Sequence, residues 1–174
     1  MANKQINELT EITSIEESDL LVVYDVDEVG TEKTKKILKS NFLPYAEGVF
    51  IPEVADASVG GNTGSAGTAE GFYTKIGRAV HIYINIQNIN TAGMTSSNSM
   101  FIRNLPFSGI TSTRFLGQGW FQNVTLGGYL TRPLMDSVSI AFHRINSGDI
   151  VSSVLVSHFT SGIADVRISM TYFV

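Results

Sequence analysis

Cysteine is absent from the 174 residues, which excludes disulfide staples and thiolate metal sites and leaves the redox compartment open. Charge is scarce as well: 16% of the residues are Asp, Glu, Lys or Arg, against 43% hydrophobic. A chain with this balance buries a core and does not stay disordered. The formal net charge is -4, so the basic face of a phosphate-driven nucleic-acid binder is missing, and nucleic acid is not an expected partner. No apolar run approaches the roughly 20 residues that cross a bilayer. Residues 1–8 also lack the apolar core of a signal peptide, so a cytosolic product without membrane insertion is expected.

What charge there is lies unevenly. Residues 1–45 hold nine acids and five lysines, whereas the other 129 residues hold seven acids and seven bases, so the whole net charge sits in the first segment. This shift predicts two units, an N-terminal module over 1–45 and a larger domain over 46–174, joined near residues 43–48. In the first unit, residues 20–26 read as a β-branched, aromatic strand and residues 34–38 as a second, shorter one. Such a hairpin does not stabilise itself and must lean on another surface. Ile6, Leu9 and Ile12 recur at spacing three, which suits a helical turn or an extended arm.

The second unit reads as a string of strands. Across residues 79–87, Val80, Ile82, Ile84 and Ile86 alternate with His81, Tyr83, Asn85 and Gln87, the period of a half-buried antiparallel strand. The same texture recurs around residues 100–103, 114–122, 138–144, 151–158 and 164–173, separated by Gly, Asn, Ser and Pro. Several short strands with no helical period between them predict an all-β antiparallel β-sandwich or barrel. So few charges among so many strand residues also leave apolar faces that a monomer of this size struggles to cover.

Two stretches carry a resemblance to a known family. Gly71-Phe72-Tyr73-Thr74-Lys75-Ile76-Gly77-Arg78-Ala79-Val80-His81-Ile82, followed by Phe101-Ile102-Arg103-Asn104-Leu105-Pro106-Phe107, resembles a signature of tailed-bacteriophage fibre proteins. There it lies in a C-terminal β-sandwich knob. The pattern makes physical sense: Gly77 turns the chain between paired strands, and the Leu-Pro-Phe step ends a strand by removing a ladder donor. Ile6-Asn7-Glu8-Leu9, Asp19-Leu20-Leu21-Val22-Val23-Tyr24-Asp25-Val26 and Thr34-Lys35-Lys36-Ile37 are similar to the opening of short phage fibre and virion-decoration proteins, where that module docks onto the particle. The resemblance implies a homotrimer of jelly-roll-like β-sandwich knobs, each carried by a small N-terminal β-hairpin attachment module. It further implies residues 1–45 bound to capsid or tail proteins, and a location in the virion after synthesis in the host cytoplasm.

Candidate sites are few. The glycine-rich residues 58–71 lack the Gly-Lys-Ser/Thr ending of a phosphate cradle, so a flexible exposed loop is expected. Residues 25–30 imitate the start of a calcium loop, but position five is Val29 and position twelve is Lys36, which predicts a solvated turn. His81, His143 and His158 make no close ligand pair; only a three-fold axis would bring copies of one histidine together, and no metal is expected. No serine sits in a Gly-x-Ser-x-Gly elbow, and the domain's carboxylates are scattered, so neither a catalytic residue nor a cofactor is expected. A ligand site is expected at Trp120, with Gln118 and Gln122, where an aromatic platform is flanked by amides suited to host-surface glycans. In a strand, Trp120 and Gln122 point one way and Phe121 the other; the alternative role for a lone tryptophan is core packing.

The reading that follows is a non-enzymatic structural fibre or decoration protein of a phage virion, of head or tail. Its rivals are a dedicated receptor- or carbohydrate-binding module and a carbohydrate-active enzyme.

Overall fold

The computed structural model describes residues 20–24, 34–38, 44–127, 129–145 and 151–174. The arm around Ile6 to Ile12 and the calcium-like turn at 25–30 lie outside the described residues. The chain divides into two units, Met1–Tyr45 and Ala46–Val174. The first contains an antiparallel hairpin of β1 (Leu20–Tyr24) and β2 (Thr34–Leu38), in which Leu20 faces Leu38 and Tyr24 faces Thr34.

The second unit is built from two antiparallel sheets. One has five strands in the order β3 (Tyr45–Phe50), β5 (Thr68–Ile76), β6 (Ala79–Ile89), β13 (Ala164–Phe173) and β9 (Gln118–Gln122). The other runs β4 (Glu53–Ala55), β7 (Phe101–Arg103), β11 (Ser139–Ile145), β10 (Tyr129–Asp136) and β8 (Phe115–Leu116), with β12 (Val151–Ser153) also paired to β11. Alternation decides which way each strand faces. Val80, Ile82, Ile84 and Ile86 of β6 and Val166, Ile168, Met170 and Tyr172 of β13 are buried, and they join Val54, Ile102, Met135, Ile140 and Phe142 of the second sheet in one cluster. The expected all-β architecture is therefore present, sandwich-like, with the core between the two sheets.

Aromatic edges close that core. Phe142 meets Phe121 edge-on with centroids 5.3 Å apart, bridging the sheets, and Tyr73 meets Phe107 in the same way at 5.2 Å. The Tyr172 hydroxyl donates to the Phe107 carbonyl at 3.0 Å, and burial pushes its pKa up to about 12. Gly77, at φ 57°, makes the turn between β5 and β6, a conformation that costs glycine no steric penalty. β7 ends just before the Leu-Pro-Phe step at residues 105–107.

Four stretches depart from the sequence expectations, each for a local reason. Residues 114–122 form two strands, because Gly117 is where the chain crosses from one sheet to the other. A Cβ there would lie 2.7 Å from Met170 Cβ, so no larger residue fits the crossing. Residues 45–50 form an edge strand that begins where the two units divide. Residues 151–158 contain β12 and then a 3₁₀ turn, Val156–His158, whose end is held by the Leu155 amide donating to His158 Nδ1 at 2.8 Å. β10 was not expected at all.

The glycine-rich stretch is an exposed loop in its first half, over residues 58–63, but not at its end. Thr68 already belongs to β5, and Gly71 is buried where a Cβ would lie 2.4 Å from the Phe50 ring. Upstream, the buried Asp56 carboxylate accepts from the Asn62 amide at 2.7 Å, from Asn62 Nδ2 at 3.0 Å and from the Thr95 amide at 2.8 Å. These donors, the Thr95 amide first, favour the charged form and lower the Asp56 pKa from 3.8 to about 2. A depressed acid pKa contributes stability above 3.8 that is lost as pH falls toward 2. Asp56→Ala is therefore expected to be less stable than the parent at neutral pH, with the gap closing across that window. Thermal melts from pH 5 down to 2 check it; a gap independent of pH would contradict the assignment.

Candidate ligand face

The inward set of β6 and β13 leaves the alternate residues on the outer face of the five-stranded sheet. Register then decides who meets whom. Phe72 faces Tyr83, Tyr83 faces Ser169, and Ser169 faces Gln118, forming one row across four strands. The next row is Glu70, Asn85, Arg167 and Trp120.

The second row is tied together. The Arg167 guanidinium lies 4.7 Å from the Trp120 ring centroid, and its Nε donates to Asn85 Oδ1 at 3.2 Å. Gln87 Nε2 donates to the same oxygen at 3.2 Å. The charged, planar guanidinium packs over the indole without burying it, and Trp120 remains 46% exposed. Beside it is a shallow hollow of about 240 Å³ lined by Tyr83, Gln118, Trp120, Arg167 and Ser169.

Of the three residues expected in a ligand site, Trp120 and Gln118 share this hollow. Gln122 lies on the same strand face one row along, opposite Asp165, and does not line it. Phe121 points inward to Phe142, and Asn123 uses its side-chain amide to hold the Ile163 carbonyl at 2.8 Å. Sequence reading missed Tyr83 and Arg167 as members of the site. Tyr83 was legible as outward-facing, but only the pairing through β13 brings it to Trp120, 37 residues along the chain.

This arrangement suits weak recognition of a neutral, hydroxylated ligand: an aromatic face to stack on, with amide, hydroxyl and guanidinium donors around it. The histidines lie elsewhere. His81 contacts Thr171 Oγ1 at 3.0 Å on the same sheet face, His143 is on the other sheet, and His158 is held below the ordinary imidazole value by burial and by the Arg144 charge. No group of three or more His, Cys, Asp or Glu among the described residues is placed to hold a metal ion.

No family model, curated protein or solved structure matches the chain.

Proposed function

We propose that the protein is a structural fibre or decoration protein of a phage virion, anchored through residues 1–45 and displaying residues 46–174 as a homotrimeric, jelly-roll-like knob. The observation that carries the reading is the division of the chain at residue 45. An acidic segment with a two-stranded hairpin, too small for a core of its own, precedes a sandwich-like unit with a complete core. That is the division of labour of an anchor and a displayed domain, and the fibre-like motifs at residues 71–82 and 101–107 fall in the displayed part.

An apolar sheet edge supports self-association. β3 is an edge strand, and around it Val49 is 75%, Ile51 70% and Phe72 48% exposed. An exposed apolar edge is a liability in a monomer and an asset where copies cover one another. In the assembled knob, Trp120 and Gln118 at the opposite edge of the sheet adhere to host-surface glycans, and several copies raise avidity over a weak single site. The protein performs assembly and adhesion, without catalysis or cofactor.

The test is co-purification. In a lysate of producing cells, the chain is expected to band with intact particles on a density gradient, and a chain lacking residues 1–45 is expected to stay in the soluble fraction. Recovery of the full chain in the soluble fraction alone would overturn the reading and favour a free carbohydrate-binding module.

A further inference from the structure

A larger hollow lies on the outer face of the other sheet, and nothing in the assembly or adhesion reading uses it. Strand β10 explains why it exists. Leu130 faces Arg144 and Pro133 faces Phe142, so Thr131 and Arg132 together oppose His143 alone. This is a bulge, the device by which a sheet re-aims a side chain, and it also accommodates Pro133, which cannot donate to a ladder.

Past the bulge the inward residues are Pro133 and Met135, so Arg132 and Leu134 face out. Leu116 of β8 is the partner of Leu134, and Arg114, just before β8, lines the same hollow as both. Arg114, Arg132 and His143 thus border a hollow of about 450 Å³, within the roughly 300–1,000 Å³ of small-molecule sites. Its remaining lining is aliphatic: Leu116, Leu134, Ile145 and Val151.

The charge is one-sided. No acid lines the hollow, and neither Arg114 nor Arg132 makes an ion pair among the described residues. Two guanidiniums present forked donors that match a carboxylate or phosphate. Beside them, branched hydrocarbon offers nothing to a hydroxyl but does shelter an alkyl chain from water.

We propose that this hollow binds an organic anion, a carboxylate or phosphate joined to a short aliphatic chain. The head engages Arg114 and Arg132, and the chain lies on Leu116, Leu134, Ile145 and Val151. The site is separate from the Trp120 hollow, which lies on the outer face of the other sheet and has an aromatic and amide lining.

Calorimetric titration of the full chain with octanoate, octyl phosphate, octanol and inorganic phosphate tests the proposal. The two amphiphilic anions are expected to bind at least about tenfold more tightly than octanol or inorganic phosphate, because only they satisfy both halves of the hollow. Arg132→Gln and Arg114→Gln are each expected to weaken them about tenfold, the loss of a charge-assisted bond, with the circular dichroism and melting temperature of the parent. Sedimentation with anionic phospholipid vesicles that R132Q abolishes would support the proposal and identify a lipid headgroup as the source. Octanoate binding without sedimentation would support it and identify a free anion. Octanol binding as well as octanoate, binding indifferent to both arginine variants, or no binding of either anion at millimolar concentration would overturn it.

Discussion

Phe142→Ala is expected to lower the unfolding free energy by about 3–5 kcal/mol, the range for truncating a buried aromatic residue. Phe142 is 1% exposed and reaches from β11 across the core, edge-on to Phe121 of the other sheet and tilted against Phe159 with centroids 6.4 Å apart. Removing the ring empties the seam between the sheets, and rigid strands on both sides cannot collapse into the space. Urea unfolding at fixed protein concentration, followed by the fluorescence of the single tryptophan, should show a lower midpoint with an unchanged slope. A loss below about 1 kcal/mol would mean that the two sheets do not depend on a shared core.

If the proposed trimer forms through the β3 edge, the double variant Val49→Lys and Phe72→Lys is expected to convert it to a single chain of 18.9 kDa. Both side chains are exposed and line the same surface hollow beside the β3 edge, so the change costs the individual fold little. In an assembly, by contrast, it buries like charges against one another, and lysine on an edge strand is the device by which monomeric sheets avoid edge-to-edge pairing. Light scattering gives the mass, and circular dichroism checks that the sheets persist. A variant that keeps the mass of three chains would place the contact elsewhere on the knob.

How much was legible in the sequence depended on whether a residue's role was local. β6 could be read directly, because Val80, Ile82, Ile84 and Ile86 alternate without interruption and all end up buried. The turn at Gly77 and the end of β7 were legible from residue chemistry alone. β10 was not, because Pro133 and the bulge before it break both the donor pattern and the alternation by which a strand is recognised. Gly117 hid a sheet crossing inside what reads as one continuous strand.

The candidate site shows the same boundary. That Trp120 and Gln118 share one strand face follows from period two; that this face is the outer one does not. That Arg167 stacks on Trp120 and Tyr83 completes the hollow follows from the β9–β13–β6 register, which a single sequence does not encode in any local pattern. The basic hollow was hidden further still, since Arg114, Arg132 and His143 are unremarkable in sequence until a bulge and a hairpin bring them to one face.

A displayed unit that assembles by itself does not need its anchor to form a trimer. Absolute mass, measured by light scattering on a size-exclusion column for the full chain and for residues 46–174, tests this directly. Both are expected to elute as trimers, the full chain at three times 18.9 kDa. Monomers for both would contradict the fibre reading and leave a simple binding module in its place.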